Sequence, residues 1–152
     1  MNVYLAAPLF TQAERCWNRE LATALEKGGV RVFLPQETAS PPLLQEPPNF
    51  YGSFSICRDG IDTADAVVAI LDGADADSGT CWECGYAYAR GKPVIAVRTD
   101  LRAGEDMGLN LMLSRSARAV VRPTSPDEGI GDLAAQILET LRTLPPKENR
   151  GP

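Results

Sequence analysis

There is no histidine in this chain of 152 residues. That absence removes Ser–His and Cys–His nucleophilic pairs, histidine acid–base catalysis and His-ligated metals, so any chemistry must come from Asp, Glu, Tyr, Cys, Lys or Arg. Cationic excess is missing too: 20 acidic residues against 15 basic give a formal charge of −5, and Arg is scattered rather than gathered into a tract. Nucleic-acid polymers and anionic membranes are therefore poor partners, and small neutral or cationic ligands fit better. No apolar run approaches the roughly 18 residues of a spanning helix, and the first apolar stretch, Val3 to Phe10, is short and lacks a basic flank. A cytoplasmic protein without signal peptide or membrane span is expected. The four cysteines (Cys16, Cys57, Cys81, Cys84) contain one Cys-x-x-Cys but no second pair. Reduced thiols, with no metal and no cofactor, are the expectation.

What is present organises well as one domain over residues 1–144, with 145–152 as a flexible C-terminal tail; this length can bury about two thirds of the unfolded surface. Val3 to Ala7 reads as a buried strand, and Thr11 to Lys27 has apolar residues at helical spacing before Gly28-Gly29. Val30 to Leu34 is a second strand, followed by a Pro-rich loop from Pro35 to about Tyr51 that is long enough to suggest a functional cover. Ser53 to Ala64 is a helix, and Ala66 to Leu71 is a continuous apolar run of the kind found in a strand covered on both faces. Thr80 to Arg90 follows as a helix ended by Gly91, then Pro93 to Val97 as a strand, Leu109 to Ser114 as a short helix and Ala119 to Val121 as a fifth strand. Ser125 or Asp127 is expected to cap a last helix running to Leu144. Alternation of this kind predicts an α/β fold, a flavodoxin-like three-layer sandwich around a five-stranded parallel sheet ordered 2-1-3-4-5. Its ligand crevice should lie at the carboxyl ends of strands one and three, where Ala6 to Phe10 and Asp72 to Glu83 meet.

Asp77-Ser-Gly-Thr-Cys-Trp-Glu83 is the most informative segment, because it sets two carboxylates six positions apart at that crevice and at a helix start. Glu83 has two readings. Thr80-Cys-Trp-Glu83 matches a capping box, in which Glu83 only closes a helix end. Trp82, Tyr86 and Tyr88 make an aromatic shell more suited to a reactive carboxylate, with burial raising and the helix N-terminus lowering its pKa. Asp77 can likewise be a turn residue, Tyr4 a core aromatic and Asn110 a plain N-cap. Asp62 and Asp65 flank a helix–strand junction, and one of them is expected to be merely solvated.

Tyr4-Leu-Ala-Ala-Pro-Leu-Phe10, Phe33-Leu-Pro-Gln-Glu37, Asp62-Thr-Ala-Asp65, Asp77-Ser-Gly-Thr-Cys-Trp-Glu83-x-Gly-Tyr-Ala and Asn110-Leu-Met112 occur in an order that resembles the nucleoside 2-deoxyribosyltransferase family. The resemblance spans almost the whole domain. It implies that Glu83 is the nucleophile that takes the 2-deoxyribosyl group covalently, and that Tyr4 orients it. It implies that Asp77, with Gly79 beside it in the same block, and Asn110 hold the sugar, the Asn coming from a neighbouring subunit of a homo-oligomer. Asp65, Gln36 and Phe10 match base-contacting positions, with Asp65 as the acid that protonates the departing base. The implied partners are a deoxynucleoside donor and a free nucleobase acceptor.

A weaker resemblance, to deoxynucleoside 5'-monophosphate N-glycosidases, implies hydrolysis instead. Those need Ser and Arg side chains in the first loop that donate hydrogen bonds to a phosphate, whereas Ala6-Ala-Pro-Leu-Phe10 offers none, although Ser114-Arg115-Ser116 keeps a phosphate site open. An anionic Asp77 near the 5' position would repel a phosphate and accept from a free hydroxyl. A non-catalytic nucleotide-binding domain is the third reading, since the fold by itself does not decide function. The family's terminal aromatic residue has no counterpart in Lys147 to Pro152, so no site role is carried there.

Overall fold

In the strand Asn2–Ala6 (β1), Val3 and Leu5 join one apolar cluster while Tyr4 and Ala6 join another. The same parity runs through Ala66–Ile70 (β3) and Val94–Val97 (β4), whose side chains feed the two clusters alternately. A strand that must bury both faces has no polar side to offer, which is why these segments are almost wholly apolar. The computed structural model describes residues 1–40, 44–102 and 108–144. With Arg31–Phe33 (β2) and Ala119–Val121 (β5), the five strands form one parallel sheet in the order β2-β1-β3-β4-β5. Tyr4 pairs with Val67 and Phe33, and Ala69 pairs with Ala6 and Ala96.

Gln12–Lys27 (α1) and Ile130–Arg142 (α6) cover one face through Leu21, Leu25, Leu133, Ile137 and Leu141. Phe50–Thr63 (α3) and Ser78–Ala89 (α4) cover the other, contributing Ile61, Cys84 and Ala87. Leu111–Ser116 (α5) packs beside α4 on that second face, through Leu113. The architecture is thus the expected α/β sandwich, with the strand order reversing between β1 and β3, the point at whose carboxyl ends open α/β sheets hold their ligands.

Three local expectations are corrected. The segment after β2 does not run on as loop: Pro35–Thr38 forms a short helix (α2), its proline supplying the fixed φ that suits a first turn. Helix α3 starts three residues early, at Phe50, because Asn49 accepts a hydrogen bond from the Gly52 N–H at 2.7 Å. Neither Ser125 nor Asp127 caps α6; its N-cap is Gly129, and the helix stops at Arg142. Residues 145–152, expected as a tail, lie outside the described residues. Among the described residues no helix is long and apolar enough to cross a membrane.

Candidate active site

The polar turn after β3 decides how α4 begins, and with it the setting of Glu83. Asp77 is the N-cap: its Oδ2 accepts from the Thr80 N–H at 2.8 Å and from the Thr80 hydroxyl at 3.1 Å. The capping box expected of Thr80 and Glu83 is therefore not formed, since the helix starts two residues earlier and Thr80 is already satisfied. Such a box exists elsewhere, between Thr11 and Glu14 at the start of α1.

This two-residue offset carries Glu83 into the second turn of α4, where the helix dipole contributes little because its effect fades within the first turn. Desolvation then dominates. Burial pushes the Glu83 carboxyl up to about 7, opposed by a hydrogen bond from Tyr4 and assisted by the nearby negative charge of Asp77. The expectation that the helix N-terminus would lower this pKa is corrected accordingly.

Tyr4 reaches Glu83 because even-numbered residues of β1 face α4. Its phenolic O–H donates to Glu83 Oε1 at 2.5 Å, and burial together with the Glu83 charge holds the phenol well above the ordinary tyrosine value. The ring is fully buried and stacked on Phe33, centroids 5.2 Å apart and 14° from parallel. A tyrosine held this way is a fixed O–H donor and not a phenolate. Neither Phe33 nor Cys57 stands out in the sequence as a site residue. The Cys57 thiol adjoins the Tyr4 hydroxyl, and burial, with the Glu83 charge, pushes it up as well. The signal for Cys57 was its spacing: four residues before buried Ile61, it shares the inner face of α3.

Gly79 lies in the first turn of α4 with Asp77 Oδ2 about where a β-carbon would press, at 3.1 Å. Phe10 stands 77% exposed on the loop that leaves β1 at the carboxyl edge of the sheet. Asn110 is exposed and caps α5, its Oδ1 accepting from the Met112 N–H at 3.0 Å. Trp82 stacks on Tyr86 at 5.2 Å and meets Phe54 edge-on at 5.4 Å, so the aromatic residues form a row across α3 and α4.

Asp65 and Gln36, two expected site residues, are engaged elsewhere. Asp65 precedes β3 at the amino end of the sheet, where its Oδ2 accepts from the Asn2 N–H at 2.8 Å. The crevice is at the opposite, carboxyl end, so Asp65 is corrected from leaving-group acid to a strand-end brace. Gln36 is 2% exposed, and both ends of its amide are occupied: Oε1 accepts from Asn18 and Nε2 donates to Arg15 O. Asn18 in turn donates to Pro8 O at 2.9 Å, so Gln36 holds the shape of the first loop instead of facing a ligand. Asp62, the other junction carboxylate, is no bystander: it accepts from the Tyr86 hydroxyl at 2.9 Å and from Arg90 at 2.8 Å. Among the described residues no group of three or more acidic or thiol side chains could hold a metal.

What the arrangement offers chemically is a carboxylate poised between protonation states near neutrality, locked to a buried phenol and flanked by a second carboxylate. Comparison with known proteins agrees in fold and family. The family model described as nucleoside 2-deoxyribosyltransferase matches residues 3–112. Among solved structures, a conserved protein from Enterococcus faecalis is similar at 26% identity and a TM-score of 0.75, over 93% of this chain and 97% of that one. A 2-deoxyribosyltransferase from Bacillus psychrosaccharolyticus is similar at 27% identity and a TM-score of 0.67, over 88% and 96%. A CMP N-glycosidase from Clostridium botulinum, at 20% identity and a TM-score of 0.56 over 93% and 99%, shares the fold. No curated protein matches.

Proposed function

Because the chain belongs to the nucleoside 2-deoxyribosyltransferase family, we propose that it moves a 2-deoxyribosyl group from a nucleoside to a free purine or pyrimidine base through a covalent intermediate on Glu83. The observation that carries this is the Tyr4–Glu83 hydrogen bond at 2.5 Å around a carboxyl raised to about 7. With Oε1 held by Tyr4, the free oxygen of ionised Glu83 bonds to the anomeric carbon as the N-glycosidic bond breaks, and the electron pair leaves with the base. The developing oxocarbenium charge is stabilised by that same carboxylate. An incoming base nitrogen then displaces Glu83 and gives up its proton, balancing the proton that the departing base takes up from solvent, and two inversions restore the original configuration. Desolvation makes the ionised carboxylate a stronger nucleophile, and the Tyr4 hydrogen bond, which acts to lower its pKa, eases its departure from the glycosyl ester.

Asp77 takes the sugar end of the substrate. Its Oδ2 is spent on the helix cap, and among the described residues Oδ1 has no partner, so that oxygen can accept from a free 5'-hydroxyl. Gly79 keeps the approach to Asp77 open. Phe10, on the exposed first loop, packs against the base. A second copy of the chain completes the site and supplies Asn110; the exposed Tyr51, Phe54, Trp82 and Met112 are the apolar surface that supports such an assembly.

The experiment is a single mixture of deoxyinosine and free cytosine. Deoxycytidine formation supports transfer. Release of hypoxanthine without a new nucleoside points to an N-glycosidase, and no reaction across several deoxynucleosides and acceptor bases sinks both.

A further inference from the structure

Away from Glu83, the carboxyl ends of β4 and β5 open into a second cleft of about 600 Å³. Arg98, Arg102 and Arg122 line it together with Thr124, and Trp17 and Leu133 supply apolar wall. In a chain of net charge −5 this is a local reversal of sign. The two carboxylates that share the cleft are engaged: Asp100 accepts from Arg102 at 2.6 Å and from the Gly73 N–H at 3.0 Å, and it lies 3.8 Å from Arg98 Nη2. Glu128 accepts from the Thr124 N–H, the Thr124 hydroxyl and Gln136. Arg98 is 3% exposed, and its Nε is buried without a hydrogen-bond partner among the described residues. A buried N–H left open is costly, and an anion is the ligand that relieves it. Helix α6 begins at the same place under Gly129, which provides no side-chain cap, so the positive end of its dipole also faces this region.

We propose that this cleft binds a nucleoside 5'-monophosphate, the phosphate on the arginines and the nucleoside against Trp17 and Leu133. The volume falls within the range of about 300–1,000 Å³ typical of small-molecule sites. The site is separate from the Glu83 crevice but shares a loop with it. Arg98 Nη1 donates to Leu71 O at 2.6 Å and Gly73 O at 2.8 Å, where the turn leading to Asp77 starts. The proposal does not depend on the transfer reading of Glu83.

Isothermal titration of the full chain with adenosine 5'-monophosphate, adenosine and inorganic phosphate tests it. The nucleotide should bind more tightly than phosphate, and adenosine more weakly than the nucleotide. Arg102→Glu, at an exposed position, should weaken the nucleotide by about tenfold or more, and Ser125→Glu on the rim should do the same. Glu83→Gln should bind as the parent does. Absence of nucleotide binding, equal binding of phosphate and nucleotide, an unaffected Arg102→Glu together with an unaffected Ser125→Glu, or loss of binding in Glu83→Gln would each overturn the proposal.

Discussion

Tyr4 and Glu83 lie 79 positions apart in the chain and share one hydrogen bond of 2.5 Å, the phenol donating from the middle of the sheet to the second turn of α4. Each controls the other's protonation: the carboxylate keeps the phenol protonated, and the phenol offsets part of the burial that raises the carboxyl.

The first consequence is a pH profile. The proposed attack requires ionised Glu83, so kcat/KM for transfer should rise with pH through about 7. Stability runs the other way, because between the ordinary value of 4.5 and about 7 the unfolded chain is ionised at this residue while the folded one holds its proton. The fold therefore loses stability as pH rises through that window. Glu83→Gln should abolish transfer yet exceed the parent in urea stability by about 2 kcal/mol at about pH 8, with the gap closing near about pH 4. A flat rate profile from about pH 5.5 to 8 would refute the shifted carboxyl.

Tyr4→Phe tests the donor alone. A hydrogen bond to a charged group is worth about 1.5–3 kcal/mol, so kcat should fall by about tenfold or more. Since the Tyr4 hydrogen bond lowers the Glu83 pKa, its removal should also move the rising limb to higher pH. An unmoved limb in stopped-time assays across pH would mean that the phenol only fills space.

For Asp77, capping and charge can be separated with Asp77→Ser. Serine is as good an N-cap as aspartate, so the melting temperature should change little. Removal of the charge should shift the Glu83 limb to lower pH, because Asp77 raises that carboxyl. The preference for deoxyinosine over its 5'-monophosphate, measured as a ratio of kcat/KM values, should shrink. Retention of the full preference assigns the discrimination to another residue.

Gly60→Ala probes the support beneath Tyr4. Alanine is favoured over glycine inside a helix by about 0.5–1 kcal/mol. Here the added β-carbon would meet the Phe33 ring at 2.8 Å, and that ring is stacked on Tyr4. Overpacking should win, with a net loss of about 1–3 kcal/mol in urea denaturation. A stabilised variant shows that Phe33 can yield.

The fold was legible because its signals are local and periodic. Continuous apolar runs at Ala66–Ile70 and Val94–Val97, set between helical spacings, leave few alternatives to a parallel sheet. Glu83 and Asp77 were legible as a motif. Start points were less so: Asp77 and Thr80 are both good caps, and only packing of α4 against the sheet selects the first. Asp65 and Gln36 carried plausible polar groups in the right blocks, but nothing in their neighbours along the chain reveals that Asn2 and Asn18 already occupy them.

The sequence by itself determined the parallel order of the sheet, the exclusion of histidine chemistry, and the placing of Glu83 near a strand end. The tertiary structure alone decided that Tyr4 bonds Glu83, that Asp65 sits at the wrong end of its strand, and that desolvation outweighs the helix dipole at Glu83. Periodicity reports which face a residue takes, whereas hydrogen bonding and burial depend on groups brought together from distant positions, and those are set only when the layers close.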